Sequence, residues 1–286
     1  MAGKAHLELS FGVTFAVLGA ALLHATWNAL IKSGRDPLLD MALFTLAGCV
    51  LGALVALVLQ VAPPERASWP YLAASTAVHV GYYAALVGAY RAGDLSHGYP
   101  IMRGSAPLLT GLGTWLLLGE SLSVAALLGV LLICGGVLSL SLAGGGASRR
   151  ATAWALANAI IIAIYTLADG AGVRVAGGAD RYVVWLFVLH GLPFGLGVLA
   201  IQRGALVRHA ALHWQRCFAG AALSGLSYGI ALWAMTQAPI AIVAALRETS
   251  VIFAALIGAW FLKEGHLGQR LSGAAIVLAG LVALKL

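Results

Sequence analysis

His79, Tyr82, Tyr83, Leu86 and Tyr90 stand at i, i+3, i+4, i+7 and i+11, which places them on one side of a helix. Imidazole and phenol groups at that spacing can stack on a planar apolar ligand and hydrogen-bond its polar end. The same stripe would also serve as interhelical packing, with Tyr90 as an anchor at a membrane surface. The chain then reads Ser96-His97-Gly98-Tyr99-Pro100-Ile101-Met102-Arg103-Gly104-Ser105-Ala106-Pro107. Two prolines and two glycines here predict a broken or kinked helix, and carbonyls freed beside Tyr99 and Arg103 would line a cavity. Arg247, followed by Glu248, holds a corresponding place later in the chain. An arginine inside a bilayer costs about 3 kcal/mol even on lenient scales, so Arg103 and Arg247 must each pair, cap or bind. One reading gives them a ligand carboxylate; the other gives them Glu248, Asp169 or a helix C-terminus. Trp27, Asn28 and Tyr165 can complete a polar and aromatic pocket, with Asn158 two turns before Tyr165. Asp169 reads either as a proton or cation site or as a helix-end residue near the surface.

Other chemistry is missing from the pattern. Cys49, Cys134 and Cys217 are odd in number and widely spaced within or beside apolar segments, so they read as packing thiols rather than a disulfide framework or zinc site. There is no His-x-x-x-His pair with an acid between, and no nucleophile elbow; a membrane-embedded enzyme is the remote alternative. No metal and no cofactor is implied. The formal charge of +7 comes from 17 Lys and Arg that lie mostly singly between apolar runs, without the basic stripe a nucleic acid would need.

The elements that position these residues follow from composition. Of 286 residues 61% are hydrophobic and 9% charged, against about 25% charge in a soluble domain. Apolar runs bounded by charge, Pro or Gly predict helices near 8–33, 37–60, 68–92, 95–118, 121–142, 150–176, 180–202, 211–237, 239–262 and 266–286. The expected fold is therefore all-α and integral to the membrane, with ten transmembrane helices and no soluble domain. Pro63 to Arg66, Gly144 to Arg150 and Gln202 to Arg216 read as the polar connections. Glu120 and Glu264 read as N-terminal caps of the helices that follow them, and Trp69 and Trp214 as interfacial anchors. Gly48/Gly52, Gly191/Gly195 and Gly225/Gly229 are small-xxx-small pairs for close helix approach.

Sliding the second half on the first by 144 positions superposes Gly81 on Gly225, Arg103 on Arg247, Glu120 on Glu264, Gly129 on Gly273 and Gly136 on Gly280. One offset without gaps predicts a duplication, with five-helix units at 1–143 and 144–286. An odd number of helices per unit forces the copies into opposite orientations, the inverted-repeat plan in which a site forms near the midplane. By these boundaries Lys4, Arg66, Arg174, Arg181 and Lys285 share a side with the termini. Lys32, Arg35, Arg91, Arg149, Arg150, Arg203, Arg208, Arg216, Lys263 and Arg270 fall on the other, which would put both termini outside.

The segment Arg103, Pro107, Leu118-Gly119-Glu120, Gly129 and Gly135-Gly136, with its second copy Leu262-Lys263-Glu264, Gly273 and Gly280, resembles the EamA repeat of the drug/metabolite transporter superfamily. The aromatic third helix and the proline-bearing fourth are most similar to YddG-type exporters of aromatic and other amino acids. That resemblance implies a multi-pass protein of the bacterial inner membrane with both termini in the cytoplasm, against the charge count. It also implies alternating-access export of small metabolites through a central cavity. An amino acid would place its carboxylate near Arg103 or a broken-helix end and its side chain against Tyr82, Tyr83, Tyr99 and Trp27. Efflux of drugs, or of phosphorylated or nucleotide-linked metabolites, is the alternative; Glu8, at the extreme start of the first helix, counts against proton-coupled drug efflux. Substrate and lipid are the only partners implied, and a monomer is compatible with this plan.

Overall fold

The computed structural model describes residues 9–32, 34, 36–91, 95–143, 149–254 and 267–284. Among these the chain is helical, without a strand: α1 Phe11–Lys32, α2 Pro37–Val58, α3 Trp69–Arg91, α4 Leu95–Leu118, α5 Val124–Ser139, α6 Arg149–Arg174, α7 Ala179–His190, α8 Leu192–Met235, α9 Ile240–Arg247 and α10 Leu267–Ala283. The predicted residues Glu8, Lys263 and Glu264 lie outside the described residues, and so do the side chains of Tyr90 and His97.

Local sequence sets several helix ends. The Asp36 carboxylate accepts from the N–H groups of Leu38 and Leu39 at 3.0 and 3.1 Å, with Pro37 at the first helical position of α2. Ser123 caps α5 through the Ala126 N–H at 3.1 Å. At the end of α4, Gly119 takes φ +64° and the Glu120 N–H reaches back to the Thr114 carbonyl at 3.1 Å, a closing turn that favours glycine.

Described stretches long and apolar enough to cross a bilayer are Phe11–Ile31, Pro37–Val58, Thr152–Arg174 and the 57-residue run Ala179–Met235. Helices α3 and α4 have the length but carry the histidine, tyrosines and arginine singled out above. The bundle is inverted relative to a soluble protein. Leu57, Leu117, Ile201 and Leu212 are exposed, whereas Asp40, His79, Arg103, Asn158, Asp169, Arg247 and Glu248 are buried. This is the arrangement expected where lipid is the outer solvent.

The structure corrects three expectations. Of the broken or kinked helix expected at Pro100 and Pro107, the break is absent: α4 runs through both. The interruption falls in the second half: α9 ends at Arg247, Glu248 and Thr249 form a turn, and residues 250–254 are helical again. Gln202 to Arg216 is no connecting loop: within α8 two helices meet at a kink at Gln202 (φ −127°, ψ 36°), where the 180–202 helix was expected to end, and the second runs on through Arg216. Glu120 does not cap the helix that follows it but serves α9, as described below.

Helices α3 and α4 pack on α6, α1 and α2 on α8, and α5 on α10. Glycine makes the α5–α10 crossing. A Cβ on Gly136 would lie 2.9 Å from the Gly273 carbonyl oxygen, and one on Gly280 would lie 2.8 Å from the Gly129 carbonyl oxygen. Across α2, Gly52 meets the backbone of Phe187 and Val188, and Gly191 meets the Thr45 carbonyl, so these small-xxx-small positions admit backbone contact. Gly136→Val is expected to lower stability by about 1–3 kcal/mol through overpacking. Gly135→Ala, with nothing within 4 Å of its Cβ, leaves stability unchanged. Thermal unfolding in detergent distinguishes the two; equal midpoints would disprove the close crossing.

Candidate functional site

Two cavities lie along one buried face of α6. Asn158, Ile162, Tyr165, Asp169 and Val173 follow one another at intervals of three or four residues, all buried. Asn158 and Ile162 line an inner cavity with His24, Asn28, Tyr82, Leu86, Tyr99, Met102 and Arg103. Its free volume is about 10 Å³, room for a single water. At the other end Val173 and Arg174 line a more open cavity of about 400 Å³ with Gly177, Gly178, Ala179 and Thr236.

The inner cavity has an arginine at its wall. Arg103 Nε forms an ion pair with Glu248 Oε2 at 2.8 Å, both side chains nearly fully buried. Arg103 Nη2 and Asn158 Oδ1, although buried, have no hydrogen-bond partner among the described residues; Asn158 Nδ2 donates to the Met102 sulfur at 3.0 Å. Nearby, Arg247 makes no ion pair among the described residues and lies over the Tyr228 ring, 4.9 Å from its centroid. The turn after Arg247 is what brings Glu248 to Arg103. Thus one of the paired alternatives read from the sequence holds for Arg103, which also lines the cavity.

Apart from Arg247, which is not among the residues lining the inner cavity, the predicted residues divide into three groups. Asn28, Tyr82, Tyr99 and Arg103 line the inner cavity. His79 and Tyr165 form the layer behind it, their rings 4.4 Å apart, with His79 Nδ1 donating to the Ser75 carbonyl at 2.8 Å. Tyr83 packs against Phe194, with ring centroids 5.3 Å apart, and Trp27 stacks on Phe44 at 5.1 Å. Both therefore sit in a neighbouring apolar cluster and not on the cavity wall. His24 was missed: it accepts from Trp27 Nε1 at 3.3 Å and faces the cavity. Its position one turn before Asn28 was the available signal.

Asp169 is fully buried, which rules out the helix-end reading. Its two oxygens accept from the hydroxyls of Tyr182 at 2.9 Å and Tyr228 at 2.6 Å. Two charged clusters mark opposite ends of the helices. Glu120 pairs with Arg174 at 2.5 Å and accepts from the Ile240 N–H at 3.2 Å, while Arg174 also donates to the carbonyls of Met235 and Ala238. This joins the C-termini of α4, α6 and α8 to the start of α9. At the start of α2, Asp40 pairs with Arg216 and, at 2.9 Å, with His209, both of α8.

Comparison with known proteins adds the following. The family model described as the EamA-like transporter family matches residues 10–142 and 149–285. An uncharacterized protein of Pseudomonas aeruginosa is 32% identical over 275 residues, covering 93% of this chain and 92% of its own. A solved crystal structure superposes with a TM-score of 0.74 at 18% identity, covering 96% of this chain and 98% of that one, a likeness of fold.

Proposed function

Because the chain belongs to the EamA-like transporter family, in the drug/metabolite transporter superfamily, we propose that it exports zwitterionic amino acids, aromatic and neutral ones included, across the bacterial inner membrane. Membership points to a multi-pass membrane protein that moves small molecules rather than to an enzyme. The observation that carries the substrate class is the pair of unsatisfied polar atoms at one small cavity: Arg103 Nη2, a donor that suits a carboxylate, and Asn158 Oδ1, an acceptor that suits an ammonium group. Buried polar groups rarely lack partners, and a zwitterion supplies both at once. Tyr82, Leu86, Tyr99 and Ile162 offer the apolar and aromatic wall its side chain needs.

Ten transmembrane helices in two inverted units at 1–143 and 144–286 remain the proposed architecture. The glycine crossing supports it. Gly129 and Gly136 pair by sequence with Gly273 and Gly280, yet in space Gly129 meets Gly280 and Gly136 meets Gly273. Such a crosswise, antiparallel contact is what a two-fold axis between copies produces. With that axis in the membrane plane the copies are inverted, and rocking one against the other would expose the cavity to either side. The contracted inner cavity fits a stage of that cycle between openings.

The test is efflux of labelled phenylalanine, threonine and lysine from liposomes holding the purified protein. Saturable efflux of phenylalanine and threonine is expected. In Asn158→Leu, kcat/KM for phenylalanine should fall about tenfold to a hundredfold, the worth of a buried hydrogen bond to a charged group. Unchanged kinetics in that variant would remove Asn158 from the site, and no movement of any amino acid would sink the substrate assignment.

A further inference from the structure

The hydrogen bonds around His24 fix which of its ring nitrogens carries the proton. An indole N–H can only donate, so Trp27 Nε1, 3.3 Å from His24 Nδ1, makes that nitrogen an acceptor. The proton of the ring is therefore on Nε2, and an imidazolium, which has no acceptor, is incompatible with this contact. Trp27 is itself held in place: its ring meets that of His24 edge-on, with centroids 5.2 Å apart, and stacks on Phe44 of α2. His24 Nε2 has no hydrogen-bond partner among the described residues.

His24 of α1 and Arg103 of α4 line the same inner cavity, whose free volume of about 10 Å³ leaves them around one small space. Arg103 Nη2 likewise has no hydrogen-bond partner among the described residues. Glu248, at 2.8 Å, already balances the charge of Arg103, so an anion arriving beside it needs a further donor. Two donors on the wall of one cavity suit the two oxygens of a carboxylate. An amide or an ester offers one carbonyl oxygen and no charge.

We propose that His24 is the second donor to the substrate carboxylate, its Nε2–H on one oxygen while Arg103 holds the other, and that Trp27 is the positioning residue that keeps His24 a donor. The proposal rests on the amino-acid reading above and adds the basis of selection: this wall takes a free carboxylate in preference to an amide or ester. No proton is transferred and no covalent bond changes. Helix α1 packs on α8 and α4 on α6, so the bound carboxylate ties together helices from two different packing pairs. Trp27, expected from the sequence to stack on the ligand, acts instead through the ring of its neighbour.

The experiment measures equilibrium binding of labelled phenylalanine and labelled phenylalaninamide to the purified full-length protein, beside phenylalanine efflux from liposomes. The wild type should bind phenylalanine the more tightly. In His24→Leu that preference should shrink about tenfold, the gap between a hydrogen bond to a charged group and one to a neutral group. His24→Gln, which keeps a side-chain N–H, should recover much of it. Trp27→Phe, which leaves Nδ1 free to take the proton, should shrink the preference in the same direction without touching the cavity wall. An unchanged preference in His24→Leu, or equal weakening of both ligands, makes His24 a packing residue and overturns the proposal, while wild-type phenylalanine efflux keeps the amino-acid reading intact. If the wild type moves no amino acid, both fall together. Should His24→Leu fail to fold, Trp27→Phe decides: an unmoved preference there overturns the proposal.

Discussion

Arg103→Met is expected to cost about 3–5 kcal/mol of stability, because it strands Glu248, a carboxylate 3% exposed whose ion pair at 2.8 Å is with Arg103. The second half of the prediction concerns the double variant. Arg103→Met with Glu248→Leu removes both charges, fills the space with apolar groups and should recover most of the stability. Transport should not recover, since the arginine in the inner cavity wall is gone. Thermal unfolding in detergent measures the first property and phenylalanine efflux the second. If the double variant regains both, the pair is structural glue and the carboxylate of the substrate must bind elsewhere, with Arg247 the next candidate.

A comparably large effect is expected at the opposite charged cluster. Asp40, 1% exposed, joins α2 to Arg216 and His209 of α8. Asp40→Asn keeps the shape but removes the charge that holds the two helices together at this end. Losing about 2 kcal/mol there would raise the population of states parted at this end about thirtyfold. Cys217 is a built-in reporter: it is fully buried, and its sulfur lies 3.9 Å from the Asp40 carbonyl. The expected result is a similar rise in the maleimide labelling rate of Cys217 in Asp40→Asn, with Cys134 in α5 as the internal reference. Equal labelling of Cys217 in variant and wild type would show that the cluster does not hold this end closed.

Much of the wall of the inner cavity was legible because it repeats a local pattern. Tyr82 and Leu86 are one turn apart on α3, and spacing alone predicted their shared face; Tyr99 and Arg103, one turn apart on α4, meet the same wall. Tyr83 and Trp27 were expected at that site too, Trp27 for its stacking chemistry and Tyr83 by spacing, and for Tyr83 spacing misleads. Adjacent positions on a helix differ by about 100°, so Tyr82 can face a cavity while Tyr83 turns to Phe194. A broken or kinked helix was expected at the prolines of α4; the break is absent, because neighbouring helices and polar groups can satisfy the carbonyls that a proline frees. The interruption at Glu248 carries no proline or glycine to announce it.

By itself, the sequence determined the membrane class, the apolar segments and the membership of a transporter family, because burial in lipid must be written residue by residue along each crossing. It also supplied the constant offset that relates the two halves. Only the tertiary structure decided the partners. Asp40, read from the chain, is an acidic residue in the first turn of a helix, where the dipole alone would account for it. Its partners, His209 and Arg216, lie 169 and 176 positions away, among charges that read as a loop. Asp169 likewise could be a surface residue until α7 and α8 bring Tyr182 and Tyr228 to it. The physical reason is that helical periodicity fixes which residues share a face, while the rotation and depth at which faces meet come from the packing of the whole bundle.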